Sequence, residues 1–142
     1  MIHYTHYRNQ KDTFIANGEL AKFLHLHLEK YGDAQEDIQK AIDYVFNTGG
    51  HITVQHFEGN PSGAVVVNST GMGGYIPENI LVYIAMRADL RGKGLGKKLM
   101  QEVLSELDGD VALHVEAENP ARFLYESLGF TNPYLEMRLK RK

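Results

Sequence analysis

The order of elements in this sequence predicts an α/β (α+β) fold: a mixed, mostly antiparallel central sheet of about six strands, flanked by helices. Three observations carry that expectation. The stretch NILVYIAM (79–86) is apolar at nearly every position, which marks a strand buried on both faces and central in its sheet. A glycine-rich turn, an amphipathic helix and another strand follow it, the order of a strand–helix–strand crossover. Ahead of it, two short β-branched runs separated by turn residues read as an antiparallel hairpin.

From the start of the chain, IHYTHYR (2–8) is aromatic and β-branched enough for a first strand. Leu20, Phe23, Leu24 and Leu28 then share one helical face, and Gly32 ends that helix. A second helix follows Asp33, marked by Ile38, Ile42, Val45 and Phe46. After Gly49-Gly50 come the hairpin strands HITVQHF (51–57) and GAVVVN (63–68), joined by a five-residue loop, Glu58 to Ser62. Gly71-Met72-Gly73-Gly74 leads into strand 79–86. A helix over 94–107 places Leu95, Leu99, Val103 and Leu104 on one stripe. A strand over 110–115, a helix over 120–128 closed by Gly129, and a strand over 134–140 complete the chain. Asn119 before Pro120 suits the start of that helix as cap and first turn.

The 142 residues carry no repeat and no low-complexity linker, so residues 1–142 form a single domain. Hydrophobic residues at 43% and charged residues at 23% are ordinary for a globular chain. With no cysteine, disulfides, zinc–thiolate sites and thiol nucleophiles are excluded, and a reducing, cytoplasmic setting fits. No apolar run approaches the length of a membrane span, and the first residues lack a signal-peptide core. A net charge of −3 argues against coating nucleic acid. The histidines lack ligand spacing and a carboxylate companion, so no metal site is expected.

Charge distribution is more informative than its total. Arg87, Arg91, Lys93, Lys97 and Lys98 fall close together, with Asp89 the one acid among them. A basic island in an acidic chain suits one bound anion. Its glycines sharpen this: Gly92, Gly94 and Gly96 would weaken a helix, yet they stand where one opens. Lacking Cβ atoms, they let a ligand approach main-chain N–H groups at the positive end of the helix dipole. The result is a cradle for phosphate or pyrophosphate, with Arg91, Lys93, Lys97 and Lys98 around it. The spacing matches neither a P-loop nor a dinucleotide fingerprint.

It does match R-x-x-G-x-G, through Arg91, Gly94 and Gly96. With a strand before it, a helix after it, and NPARFLYESLGF (119–130) beyond, the chain resembles the GNAT N-acetyltransferase superfamily from about Ile80 to Phe130. The resemblance implies acetyl-CoA as cosubstrate, bound by a β-α-β core. The pantetheine arm would pair with the main chain of Ile84, Ala85 and Met86. The pyrophosphate would rest on Gly92, Lys93, Gly94, Leu95, Gly96 and Lys97. Tyr125 matches the tyrosine that protonates the departing thiolate as general acid. The implied reaction is direct attack of a primary amine on the thioester, with positioning and oxyanion stabilisation supplying most of the rate.

Some positions depart from the family pattern. Val82 replaces the glutamate that one branch uses as base, and no carboxylate lies between Glu78 and Asp89. The branch resembling acetylases of ribosomal-protein N-termini has its base on the next strand, where His114 stands in Leu113-His114-Val115. His114 is therefore the candidate base. At the family's asparagine position, Glu118 holds the spacing and Asn119 is one residue nearer the tyrosine; both stay open. The short segment after Phe130 leaves a homodimer-completed sheet edge open as well.

The acceptor would be a small-molecule or peptide amine. Aromatic and acidic residues (Tyr31, Glu36, Asp37, Tyr44, Tyr75, Glu78, Tyr134) in the segments that should line its site favour a cationic one. A non-enzymatic acyl-CoA-binding or sensing module is the rival reading, and a protein binding a nucleotide or phosphorylated metabolite at the same amides is a third.

Overall fold

A computed structural model of the chain describes residues 1–8 and 18–141. Strands β1 (Ile2–Tyr7), β2 (Gly50–Phe57), β3 (Asn60–Ser69), β4 (Asn79–Met86) and β5 (Val111–Leu113) form one sheet in sequence order. Helices α1 (Glu19–Leu28) and α2 (Gln35–Asn47) lie between β1 and β2. Helix α3 (Leu95–Ser105) joins β4 to β5, and α4 (Ala121–Ser127) follows β5. β1 to β4 pair antiparallel; β4 and β5 pair parallel, which requires the α3 crossover.

Two apolar layers sandwich the sheet. On one face Leu20, Leu24, Ile38, Ile42 and Val45 of α1 and α2 pack against Ile52, Ala64, Val66, Tyr83 and Ala85. On the other, Leu99, Met100 and Val103 of α3 and Tyr125 of α4 pack against Val65, Val67 and Leu81. Because β3 feeds both layers, Ala64 to Val67 are all fully buried. The central position expected for 79–86 therefore belongs to β3. In β4 buried residues alternate with half-buried ones, since β5 covers only part of its length.

Two register shifts shape the site. Val66 pairs with Tyr83 and Val67 with Leu81, so Val82 is an extra residue in β4. Leu81 faces the α3 layer, whereas Tyr83 and Ala85 face α1 and α2. The second shift lies beside the β2–β3 turn. The expected five-residue loop is a two-residue turn, Glu58-Gly59, with φ of +53° and +84°. Pro61 opposes His56 and Gly63 opposes Gln55, leaving Ser62 as the bulged residue.

The expected strand over 134–140 is absent, so the described sheet has five strands. Tyr134, Leu135, Met137 and Leu139 are 76–89% exposed. The sequence alternates like a strand, but a strand needs a neighbour of comparable length, and β5 offers three residues.

Sheet register also gathers histidines that lie far apart in sequence. His6 Nδ1 stands 2.9 Å from both His51 Nε2 and Thr53 Oγ1, and His6 Nε2 stands 2.8 Å from Glu102 Oε2. His6 thus has the carboxylate companion that spacing alone did not show. Burial, followed by the charges of Arg8 and His6, pushes the His51 pKa down to about 4, against a smaller opposing effect of Glu106. A histidine depressed in the folded state binds its proton more readily when unfolded, so its contribution is present above pH 6.5 and lost as pH falls towards 4. The expected outcome is a loss of about 2 kcal/mol between pH 7 and 4.5 in urea unfolding, flattened in His51→Gln. Equal pH dependence in the variant would refute this assignment.

Candidate active site

β4 and β5 pair only through Asn79–Val111, Ile80–Ala112 and Leu81–Leu113. Beyond that point β5 leaves the ladder while β4 continues to Met86, its outer edge unpaired. A pocket of about 260 Å³ fills the opening. Val82, Tyr83 and Ile84 line it from β4, Leu113, His114 and Glu116 from the end of β5, and Tyr125 from α4. Tyr31 and Asp33 reach it from the α1–α2 connection. The Val82 bulge sits where the two strands part, a common device for re-aiming side chains beside a site.

At the far end of β4, a single 3-10 turn (Ala88–Leu90) leads to the glycine loop and α3. Gly92 and Gly94 have φ of +82° and +77°, a left-handed conformation that favours glycine, and Gly94 caps α3. A side-chain carbon added at either would meet no atom within 4 Å. The amides of residues 92–97 donate no hydrogen bond to the described chain; the first helical bond runs from Lys98 N to Gly94 O. This is an open main-chain cradle at a helix N-terminus, with Lys93, Lys97 and Lys98 exposed around it.

Arg91 has a different role from the loose cation that its place in the basic island suggests. Its guanidinium contacts Glu29 Oε2 at 3.3 Å and donates to the carbonyls of His27 and Met86. Those contacts fasten the loop to the end of α1 and the end of β4. A buried polar relay holds the loop from beneath. Gln55 Nε2 donates to Leu95 O at 3.1 Å, the Ser62 hydroxyl donates to Gln55 Oε1 at 2.8 Å, and Arg87 N donates to Ser62 O at 2.7 Å. Gln55 and Ser62 are fully buried, so loss of either partner would leave an unsatisfied polar group under the cradle. A lone glutamine in a strand carries no sequence signal for this role.

Tyr125 is 7% exposed, and its ring meets Phe130 edge-on at 5.9 Å. Its hydroxyl makes no hydrogen bond within the described chain, and the residue lines the pocket. Burial, and secondarily Glu116, pushes its pKa up to about 12. His114 lies just past β5, exposed and on the pocket wall. Ile84, Ala85 and Met86 pair with β3 on one side only, Val65, Ala64 and Gly63 being their partners. Asn119 Oδ1 accepts from Ala121 N at 2.9 Å, so its carboxamide caps α4. Glu118 is exposed.

Of the aromatic and acidic residues expected near the acceptor, Tyr31 lines this pocket. Tyr44 instead donates to Ser69 O at 2.7 Å, and Glu78 accepts from Asp110 N at 2.9 Å. Tyr75 and Tyr134 project outward, 82% and 85% exposed. Sequence reasoning missed Asp33 and Tyr83, which read as a helix start and a core strand residue. The Tyr83 hydroxyl donates to Asp33 Oδ2 at 2.5 Å.

A parallel strand pair that opens into a cleft, with unbonded amides at the start of the crossover helix, is the arrangement of an acyltransferase fold of the GNAT class. Residues 48–132, more than half of the chain, match the family model for the acetyltransferase (GNAT) domain, and the chain belongs to that family. No curated protein matches the chain significantly. Among solved structures, the ribosomal-protein-S18-alanine N-acetyltransferase of Escherichia coli is 19% identical with a TM-score of 0.73, over 94% of this chain and 80% of that one. A ribosomal-protein-alanine N-acetyltransferase from Brucella melitensis biovar Abortus 2308 is 13% identical with a TM-score of 0.71, over 99% of each chain. An aminoglycoside acetyltransferase from an uncultured soil metagenomic sample, solved with sisomicin, is 14% identical with a TM-score of 0.66, over 99% and 95%. At these identities the likeness establishes the fold. Among the described residues, no helix is long and apolar enough to cross a membrane.

Proposed function

We propose that this protein is an N-acetyltransferase that moves the acetyl group of acetyl-CoA to a primary amine by direct attack. The observation that carries the reading is the opening between β4 and β5: the free edge of β4 and Tyr125 border it, and β4 leads on to the loop whose amides, residues 92–97, are unbonded. Acetyl-CoA, when bound, supplies the activated acyl thioester.

The chain's own groups divide the work. The amides of Gly92 to Lys97 and the nearby lysines bind the pyrophosphate. The outer edge of β4 at Ile84, Ala85 and Met86, where no strand pairs and where the Met86 carbonyl already accepts from Arg91, holds an extended arm by strand addition. Tyr125 donates a hydrogen bond to the sulfur. With its pKa near 12 against about 8.5 for a free thiol, full proton transfer to a thiolate is uphill by about 5 kcal/mol. Tyr125 therefore stabilises the developing charge through that hydrogen bond and keeps its proton, and the departing thiolate is protonated through solvent, balancing the proton that the amine gives up. His114, exposed on the pocket wall, takes the amine's proton directly or through water. The capping role of Asn119 fixes the start of α4 and hence the position of Tyr125; contact with the cosubstrate through its remaining amide is part of the proposal.

Isothermal titration with acetyl-CoA, followed by thiol-release assays on amines and peptide N-termini, tests the reading. Binding with amine-dependent thiol release is expected. The absence of a carboxylate from β4 favours a second reading, a non-enzymatic acyl-CoA-binding module. Tight binding with no turnover would support that module and overturn the enzyme.

A further inference from the structure

Resting on the acetyl-transfer reading, we propose that Asp33 anchors a second positive charge on the acceptor, making the preferred substrate a dication of the diamine type. The pocket runs between the two faces of the sheet. Tyr125 belongs to the apolar layer on the α3 side, whereas Tyr83 belongs to the layer formed with α1 and α2. Both line the same opening, and the Val82 bulge is what turns Tyr83 to the opposite face from Leu81. An acceptor whose nitrogen reacts near Tyr125 therefore extends towards Asp33.

Asp33 is an exposed carboxylate held in a fixed position. Its Oδ2 accepts from the nearly buried Tyr83 hydroxyl at 2.5 Å, and its backbone carbonyl lies 3.1 Å from His25 Nδ1. A carboxylate already fixed in place loses little freedom on meeting a ligand cation. Tyr31 beside it offers an aromatic wall for the alkyl chain or the ammonium. Among the charged groups on the pocket wall, Glu116 reinforces the negative character. Arg138, the guanidinium there, is paired with Glu136 at 3.3 Å. Lys30 lies over the Tyr31 ring, 5.2 Å from its centroid.

The test compares α,ω-diamines of three to six carbons with monoamines of equal length, in wild type, Asp33→Asn and Tyr83→Phe. Asparagine can still accept the Tyr83 hydrogen bond but carries no charge; Tyr83→Phe removes the phenol and leaves the charge. The wild type is expected to favour diamines at least tenfold in kcat/KM. In Asp33→Asn that ratio should collapse through KM, with the Kd for acetyl-CoA unchanged, whereas Tyr83→Phe should retain a diamine preference. An equal ratio in wild type and Asp33→Asn, or collapse in both variants, overturns the anchor. Turnover of monoamines without preference overturns it while leaving acetyl transfer standing. No turnover of either series by protein that binds acetyl-CoA overturns the diamine class; thiol release on peptide N-termini then decides the enzyme reading separately.

Discussion

Gly94→Asp is expected to raise the Kd for acetyl-CoA at least 100-fold, about 2.7 kcal/mol, while the protein stays folded. The substitution puts a carboxylate among the unbonded amides of residues 92–97, where the pyrophosphate should rest. A fold defect is a weak rival explanation, since the added Cβ has nothing within 4 Å. Aspartate also tolerates left-handed φ better than most residues and is a good helix N-cap. The useful control is Gly59→Asp in the hairpin turn, where φ is +84° and the space is equally open. Titration calorimetry with circular dichroism on both variants reads the result. Wild-type affinity in Gly94→Asp would remove the ligand from this loop.

Tyr125→Phe should lower kcat about 100-fold, the lower end of what one hydrogen-bond donor to a developing negative charge supplies. The Kd for acetyl-CoA should stay within about threefold, because the cradle is elsewhere. Melting temperature should hold or rise slightly, since the hydroxyl has no partner in the chain to leave unsatisfied. With the phenol held near 12, the wild-type rate should show no titration from this residue between pH 6 and 9. A variant that keeps more than half of the wild-type kcat would remove Tyr125 from the chemistry and strengthen the binding-module reading.

The main-chain elements around the site were legible in the sequence; convergence of distant side chains was not. The glycine spacing from Gly92 to Gly96 announces a helix start built for close approach, and the apolar run before it announces a strand. Both signals are local, and both elements are present. The approach of Asp33 to Tyr83, 50 residues away, depends on a register shift at Val82 that no local pattern encodes. The same holds for Gln55 beneath Leu95 and for His6 beside Glu102. In the opposite direction, the alternation over 134–140 predicts a strand that is not formed, because periodicity reports a capacity to pair and says nothing of a partner.

The extra residue in β4 also constrains how this chain can vary. A strand alternates its faces with period two, so one inserted residue reverses every position after it unless a bulge absorbs it, as the bulge in β4 absorbs Val82. Deleting Val82 would remove the bulge and leave Tyr83, Ile84, Ala85 and Met86 on the faces they now occupy, opposite the same residues of β3. What would change is the local bend and twist where β4 parts from β5, and with them the aim of the Tyr83 hydroxyl at Asp33. The two faces of β4 thus tolerate a change of length at position 82, where the bulge lies, while a one-residue indel elsewhere in the strand, with no bulge to absorb it, inverts every later position.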